Sequence, residues 1–325
     1  MDSLSIITFP IVAELEQFKA LFDKSLVGSD FLLNEVLNHI KQRGGKRMRP
    51  ILLLLSAKLM GNITDSTYHA AIALELLHTA SLVHDDVVDE SDERRGQASV
   101  NALYNNKVSI LVGDYLLATC LMHSSYTGNH RIIETVAQLG RELSEGEILQ
   151  LSNISNVSFD ENVYFEVIRK KTASLFAACT VTGALSAGAS DSQIEKMRLL
   201  GDYIGLCFQI KDDIFDYDST AQIGKPTGND MREGKLTLPA LYVLNHTDDA
   251  NVLEWGRKIK KGTVTSAEID AFVAYVKVHG GIDYAYAKMN EFKEKALSLL
   301  AEFHPETSLY AALEAYLNYV VARSK

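Results

Sequence analysis

Six aspartates in two matching groups are the residues most able to do chemistry in this sequence. VHDDVVDE at 83–90 and IKDDIFDY at 210–217 share the pattern DDxxD, 127 residues apart, each near the end of a long apolar run. On a helix, positions i and i+4 lie one above the other, so Asp85 would stack on Asp89 while Asp86 points about 100° away. Stacked carboxylates repel, and acidic groups at a helix C-terminus oppose the macrodipole. One such cluster can be a solvated acidic helix end. Its repetition as Asp212, Asp213 and Asp216 points to a cation that offsets the repulsion. Hard oxygen ligands without a nearby thiol suit Mg2+, which keeps water and substrate phosphates in its shell. The two clusters are therefore expected to be facing walls of one Mg2+–diphosphate site.

Basic residues supply the counterpart. Lys46, Arg47 and Arg49 lie in GGKRMRP (44–50), and Arg94 and Arg95 follow the first aspartate group. Lys170 and Lys171 precede Thr172, while Lys225 and Lys235 lie in a later polar stretch. Guanidinium forks and ammonium groups beside glycine-rich turns are suited to phosphate. Any one pair alone is more often a solvated face; their position beside the carboxylate groups in an otherwise acidic chain favours phosphate. His78, in the apolar run before Asp85, reads alone as a satisfied core histidine.

The elements that must position these groups are helices. The 3.6-residue periodicity predicts helices over 11–26, 31–42, 50–59 and 65–90, the last capped by Asp65 or Ser66. Further helices are predicted over 107–126, 131–151, 160–187, 192–217, 238–244, 251–260, 266–278, 282–303 and 308–323. Longer loops are expected only at 90–97 and 219–235. The 5 prolines among 325 residues fit an all-α chain, since all-β chains need frequent turn punctuation. No composition shift marks a boundary, so residues 1–325 are expected to form a single domain, with the motif-bearing core over about residues 40–240.

Composition excludes other classes. With 32 basic and 42 acidic residues the net charge is −10, which disfavours non-specific binding to nucleic acid or anionic lipid. Cys120, Cys179 and Cys207 are far apart, without metal-ligand spacing, and read as buried reduced thiols of a reducing compartment. The N-terminus lacks the basic start of a signal peptide. The longest apolar stretch, Val108 to Met122, carries Asp114 and is shorter than a bilayer span requires. A cytoplasmic protein is expected. An HD-type phosphohydrolase could use His84 and Asp85, but it would need isolated metal histidines and no second DDxxD.

GGKRMRP, HTASLVHDDVVDESDERRG, LVGDYLL, GEILQ, RKKTASLF, FQIKDDIFDYD and GKPTGNDMREGKLTLP resemble, in their order, the trans-isoprenyl (polyprenyl) diphosphate synthases. The resemblance implies an isoprenoid-synthase bundle of helices around a central cavity, usually in a homodimer. It implies head-to-tail condensation of isopentenyl diphosphate onto an allylic diphosphate, three Mg2+ ions with substrate bound, and loose membrane contact for product release. Asp85, Asp89 and Asp212 would hold the metal, supported by Asp86, Asp213 and Asp216. Arg94, Lys171, Thr172, Gln209, Lys225 and Lys235 would contact the allylic diphosphate. Lys46, Arg49, His78 and Arg95 would bind isopentenyl diphosphate. Both aspartate groups are intact, which argues against a non-catalytic subunit of a heteromeric synthase.

In that family, the residues four and five before the first aspartate gate the channel for the growing tail. Here they are Ser81 and Ala80. Small residues leave the channel open, which implies a medium- or long-chain product of the kind used for quinone side chains. An aromatic there would imply a farnesyl or geranylgeranyl product. Leu117, Leu121 or Met122 could form a floor lower down.

Overall fold

The computed structural model describes residues 2–42, 45–94, 96–154, 158–217 and 227–323. Its helices, in chain order, are α1 (Ser3–Thr8), α2 (Val12–Ser25), α3 (Phe31–Gln42), α4 (Met48–Met60), α5 (Asp65–Val88), α6 (Val100–Tyr104), α7 (Asn106–Tyr126), α8 (His130–Ile154) and α9 (Glu161–Ile168). They continue as α10 (Ser174–Ser186), α11 (Asp191–Phe215), α12 (Asn229–Arg232), α13 (Leu238–Asn245), α14 (Ala250–Lys260), α15 (Ser266–Val278), α16 (Gly281–Ala301) and α17 (Thr307–Ala322). The only strands among the described residues are a two-residue hairpin, β1 (Glu93–Arg94) and β2 (Gln97–Ala98), with Glu93 opposite Ala98. The chain is all-α, as its proline-poor composition predicts.

Local chemistry sets the helix limits. Thr64 rather than Asp65 or Ser66 caps α5, exchanging hydrogen bonds with Thr67 in a capping box. Asp2 caps α1 through its Oδ1, 2.7 Å from the Ser5 amide. The run expected as one helix over 160–187 is interrupted by a π turn, Arg169–Ala173, between α9 and α10. Short elements escaped the periodicity because they contain too few turns to display one: α1, α6, α12 and the hairpin.

The chain forms two compact units. The first comprises Met1–Arg141, Leu175–Gly201 and Phe303–Tyr316. Ile51 to Leu55 of α4 are all buried there, and α5 packs along α7. The second comprises Glu142–Ser174, Asp202–Glu302 and Leu317–Lys325. The apolar face of α13 packs against α16 at its centre. Cys120, Cys179 and Cys207 are buried free thiols, and burial pushes Cys120 up to about 11 and Cys179 and Cys207 up to about 12.

One expectation changes. The helix containing the apolar stretch 108–122 is 21 residues long, and α7 is long and apolar enough to cross a membrane by length and composition. Val112, Gly113, Leu116 and Cys120 on one face are buried in the first unit, whereas Leu111, Leu121 and Met122 are exposed.

Candidate active site: two aspartate-bearing groups

In the first unit, α5 delivers the first aspartate group at its C-terminus. Asp85 is half-buried, Asp86 is fully buried and Asp89 is exposed. Asp89 is the C-cap, its amide donating to the Asp85 carbonyl at 2.8 Å. One helical turn therefore separates two carboxylates that water can reach. Asp86 is held differently: Arg94 Nε donates to its Oδ1 at 2.5 Å. The hairpin makes that contact, and Ser99 and Asn101 both donate to the Ser91 carbonyl and fasten the hairpin to the helix end. Arg94 is the arginine assigned by resemblance to the allylic diphosphate. A guanidinium carries five donors, so one bond through Nε leaves others for a phosphate.

The other described candidates of this unit lie on α4, α5, α7 and the segment before α4. Lys46 and Arg47 line a cavity of about 350 Å³ together with residues of α1 and α2. Arg47 has φ +52°, a left-handed conformation uncommon for a side-chain-bearing residue. Its guanidinium lies 4.4 Å from the Phe22 ring centre. Arg49 sits 5.6 Å from the Phe176 ring centre, and its buried Nε has no hydrogen-bond partner among the described residues. His78 is half-buried on α5. Ala80 is completely buried, and the Ser81 hydroxyl turns back to the His78 carbonyl at 2.9 Å. Of the floor candidates, Leu117 is half-buried and Leu121 and Met122 are exposed. Arg95 lies outside the described residues.

His84, the residue the phosphohydrolase reading would use, belongs to the α5–α7 packing. A Cβ at Gly113 would collide with its imidazole, and Asp114 Oδ1 lies 3.5 Å from its Nε2. This accounts for Gly-Asp in LVGDYLL.

In the second unit, α11 carries Gln209, Asp212 and Asp213 and ends before Asp216. Asp213 is buried and accepts from Tyr164 Oη at 2.6 Å and Gln209 Nε2 at 2.8 Å. Gln209 Oε1 in turn accepts from Thr172 Oγ1 at 2.7 Å. Burial, then the charge of Asp230, pushes the Asp213 carboxyl well above the usual carboxylate range. Asp216 turns away from the helix axis and takes the Asn229 and Asp230 amides at 2.8 and 3.2 Å. It thereby caps α12 instead of stacking beneath Asp212. Asp212 is half-exposed and pairs with Arg323.

The π turn brings the phosphate-binding candidates into the same unit. Lys171 pairs with Glu147 of GEILQ, and a Cβ at Gly146 would lie 2.9 Å from the Lys171 amide nitrogen, so this close passage of α8 requires glycine. A cavity of about 180 Å³ is lined by Lys171, Thr172, Gln209, Asp213, Asp230 and Lys235, among others. Four of the allylic-diphosphate candidates thus share one cavity wall. Lys225 lies outside the described residues.

Known proteins resemble this chain over most of its length. The family model described as polyprenyl synthetase matches residues 30–276. The chain belongs to the polyprenyl synthetase family. It is accordingly a prenyltransferase with the all-α isoprenoid-synthase fold. The heptaprenyl diphosphate synthase component 2 of Geobacillus stearothermophilus is 39% identical over 269 residues, 82% of this chain and 83% of that protein. A solved geranylgeranyl pyrophosphate synthase from Bacteroides thetaiotaomicron is 54% identical, covering 99% of this chain and 100% of its own, with a TM-score of 0.87. A decaprenyl diphosphate synthase from Rhodobacter capsulatus is 36% identical, with 99% of each chain covered and a TM-score of 0.92. The likeness therefore includes residues 245–325, where the motifs are silent.

Three residues around the second aspartate group are missed by sequence reasoning. Tyr164 sits in an apolar helix 49 positions from Asp213, with no spacing to betray it. Asp230 falls inside GKPTGNDMREGK and could have been picked as an acid among basic residues; burial, then Asp216, pushes it up to about 7. Arg323 lies near the C-terminus, far from every motif.

Proposed function

We propose that the chain condenses isopentenyl diphosphate head-to-tail onto an allylic diphosphate, giving a medium- or long-chain all-trans polyprenyl diphosphate. The carrying observation is the cavity that gathers Lys171, Thr172, Gln209 and Lys235 beside Asp213, phosphate donors beside carboxylates within one unit. The two units act as one domain in this reading, both aspartate groups serving a single reaction.

The donor sets fit Mg2+. Asp85, Asp89 and Asp212 are water-accessible carboxylates, hard oxygen donors of the kind Mg2+ takes, while no three His, Cys, Asp or Glu side chains among the described residues are already gathered into a metal-binding group. Bound there, three Mg2+ ions would supply positive charge to a departing diphosphate. The chain's own residues do the rest. Lys171, Lys235 and Arg94, with Lys225, hold the allylic diphosphate, and Thr172 and Gln209 orient it. Lys46, Arg49, His78 and Arg95 hold isopentenyl diphosphate. Pre-organised cations stabilise developing charge without reorganising. Asp86 and Asp213, both buried and hydrogen-bonded, keep the neighbouring carboxylates in place.

Product length rests on Ala80 and Ser81, small residues above the first aspartate group. The heptaprenyl and decaprenyl names of two relatives agree with a long product. A geranylgeranyl product is the second reading, favoured by the 54% identical structure. Action as one component of a heteromeric enzyme is the third, favoured by the words "component 2" in one relative's name. A homodimer fits α7, where Leu111 and Met122 are 67% and 53% exposed and three helical turns apart, on one face. The reading includes a cytoplasmic location and loose membrane contact for product release.

One assay separates these outcomes: purified chain alone, Mg2+, labelled isopentenyl diphosphate and farnesyl diphosphate, with extracted lipids resolved by length. Products beyond geranylgeranyl support the main reading. A stop at geranylgeranyl supports the second, and no elongation by the folded chain supports the third.

A further inference from the structure

Arg323 follows the last residue of α17, its amide donating to the Tyr319 carbonyl at 3.0 Å. Its side chain is only 9% exposed. Nη2 donates to Asp212 Oδ1 at 2.6 Å and to the Phe208 carbonyl at 2.7 Å. The guanidinium carbon stacks 3.7 Å from the Phe208 ring centre and 5.5 Å from that of Phe215. Two rings, a carbonyl and a carboxylate thus fix one cation against the first aspartate of the second group. The adjacent Lys211 is turned elsewhere, its Nζ on Tyr286 Oη at 3.2 Å.

We propose that Arg323 is a built-in counter-ion of Asp212 that competes with divalent cations for this carboxylate and so weakens metal binding in the absence of substrate. The proposal rests on the reading of Asp212 as a metal ligand. The physical reason is direct. A charge-assisted hydrogen bond occupies one Asp212 oxygen, and a fixed positive charge opposes the approach of a second cation. In the first aspartate group the described arginine, Arg94, pairs instead with the buried middle carboxylate, Asp86. Metal loading on the second group would thus need either displacement of Arg323 or the added negative charge of a diphosphate.

The test uses metal-stripped full-length chain without substrate, in an Asp85→Asn/Asp89→Asn background so that the second group is read alone. Mn2+ is titrated and the free ion followed by electron paramagnetic resonance. Arg323→Gln is expected to bind Mn2+ about fivefold more tightly than the parent, the scale of one lost surface-to-buried charge contact. Arg323→Lys, which keeps the charge on a shorter reach, should fall between them. It also carries the comparison if Arg323→Gln loses its helical circular dichroism. Arg257→Gln removes the same charge from an exposed pair with Glu254 in the same unit, and should leave affinity at the parent value. Tightening in Arg257→Gln equal to that in Arg323→Gln would overturn the proposal, leaving only net charge as the cause. Unchanged affinity in the Arg323 variants, with Asp212→Asn weakened, would overturn the counter-ion role alone. Parent-like affinity in Asp212→Asn would overturn the ligand assignment and the proposal with it.

Discussion

The two aspartate groups share five positions of pattern and differ at each aspartate. Asp85 is half-buried and Asp89 exposed, one turn apart on the end of α5. In the second group the corresponding last aspartate has left the helix to cap α12, and the first is paired with Arg323. The middle aspartates are both buried, yet Asp86 meets a guanidinium while Asp213 meets a phenol and an amide. An identical motif thus specifies a helix end with a buried middle carboxylate. The neighbours of each carboxylate decide what else it does.

The largest expected effect tests whether both groups are catalytic. Asp85→Ala and Asp212→Ala should each lower single-turnover rates about a hundred- to a thousandfold, the scale of losing one pre-organised electrostatic contact. Chelation by EDTA should match them, with Mg2+ restoring the wild-type chain only. A collapse in just one variant would leave the other group a solvated helix end.

The middle aspartates provide the next contrast. Asp86→Asn strands the Arg94 guanidinium beside a buried site and should cost about 3 kcal/mol in urea denaturation. Asp213→Asn replaces a carboxyl that burial already biases toward its neutral form, so its cost should be smaller. Equal losses would show that the nature of the partner does not matter.

The residues upstream of each group sharpen the comparison further. Ala80→Tyr, five before Asp85, should shorten the product to farnesyl or geranylgeranyl length. Packing a ring where Ala80 is fully buried should also cost about 1–3 kcal/mol. Cys207→Ser, five before Asp212, should leave product length unchanged. Chromatography of extracted lipids reads both, and an unchanged distribution from folded Ala80→Tyr removes the gate from this helix face.

The smallest effect concerns the α5–α7 pair alone. His69 and His123 meet with Nδ1 atoms 3.0 Å apart beside Tyr126. Burial, then the charge of His69, lowers His123 to about 4. The folded state resists protonation more than the unfolded chain, so stability is fully present above the ordinary histidine value of 6.5. It is lost as pH falls from there toward 4. His123→Gln should flatten that part of the stability profile, and an unchanged slope would place the acid sensitivity elsewhere.

The sequence makes the long helices legible because each repeats its apolar positions over several turns; the limits of α3, α15 and α7 differ from expectation by one residue or none. Around the second aspartate group, Lys171, Thr172, Gln209 and Lys235, which the motif resemblance singles out, line one cavity. Asp216 shows the limit of spacing arguments. Its i+4 relation to Asp212 implies stacking, but stacking holds only while the helix continues, and the helix stops at Phe215. Tyr164 and Arg323 are illegible for another reason: their partners are distant in sequence, and neither residue type is unusual where it stands.

The π turn at Arg169–Ala173 carries a consequence for tolerance of insertion and deletion. An α-helix advances 100° per residue, so a widened turn shifts the angular phase of everything beyond it. That phase lets α9 aim Tyr164 at Asp213 while α10 buries Leu175, Phe176 and Cys179. Deleting Lys170 would restore a plain helix through the segment and rotate one of those two faces out of alignment. A single lost codon here would act as a molecular misindexing, costly out of proportion to the half-buried lysine it removes, whereas a substitution at Lys170 would lose only its ion pairs with Glu145 and Glu166.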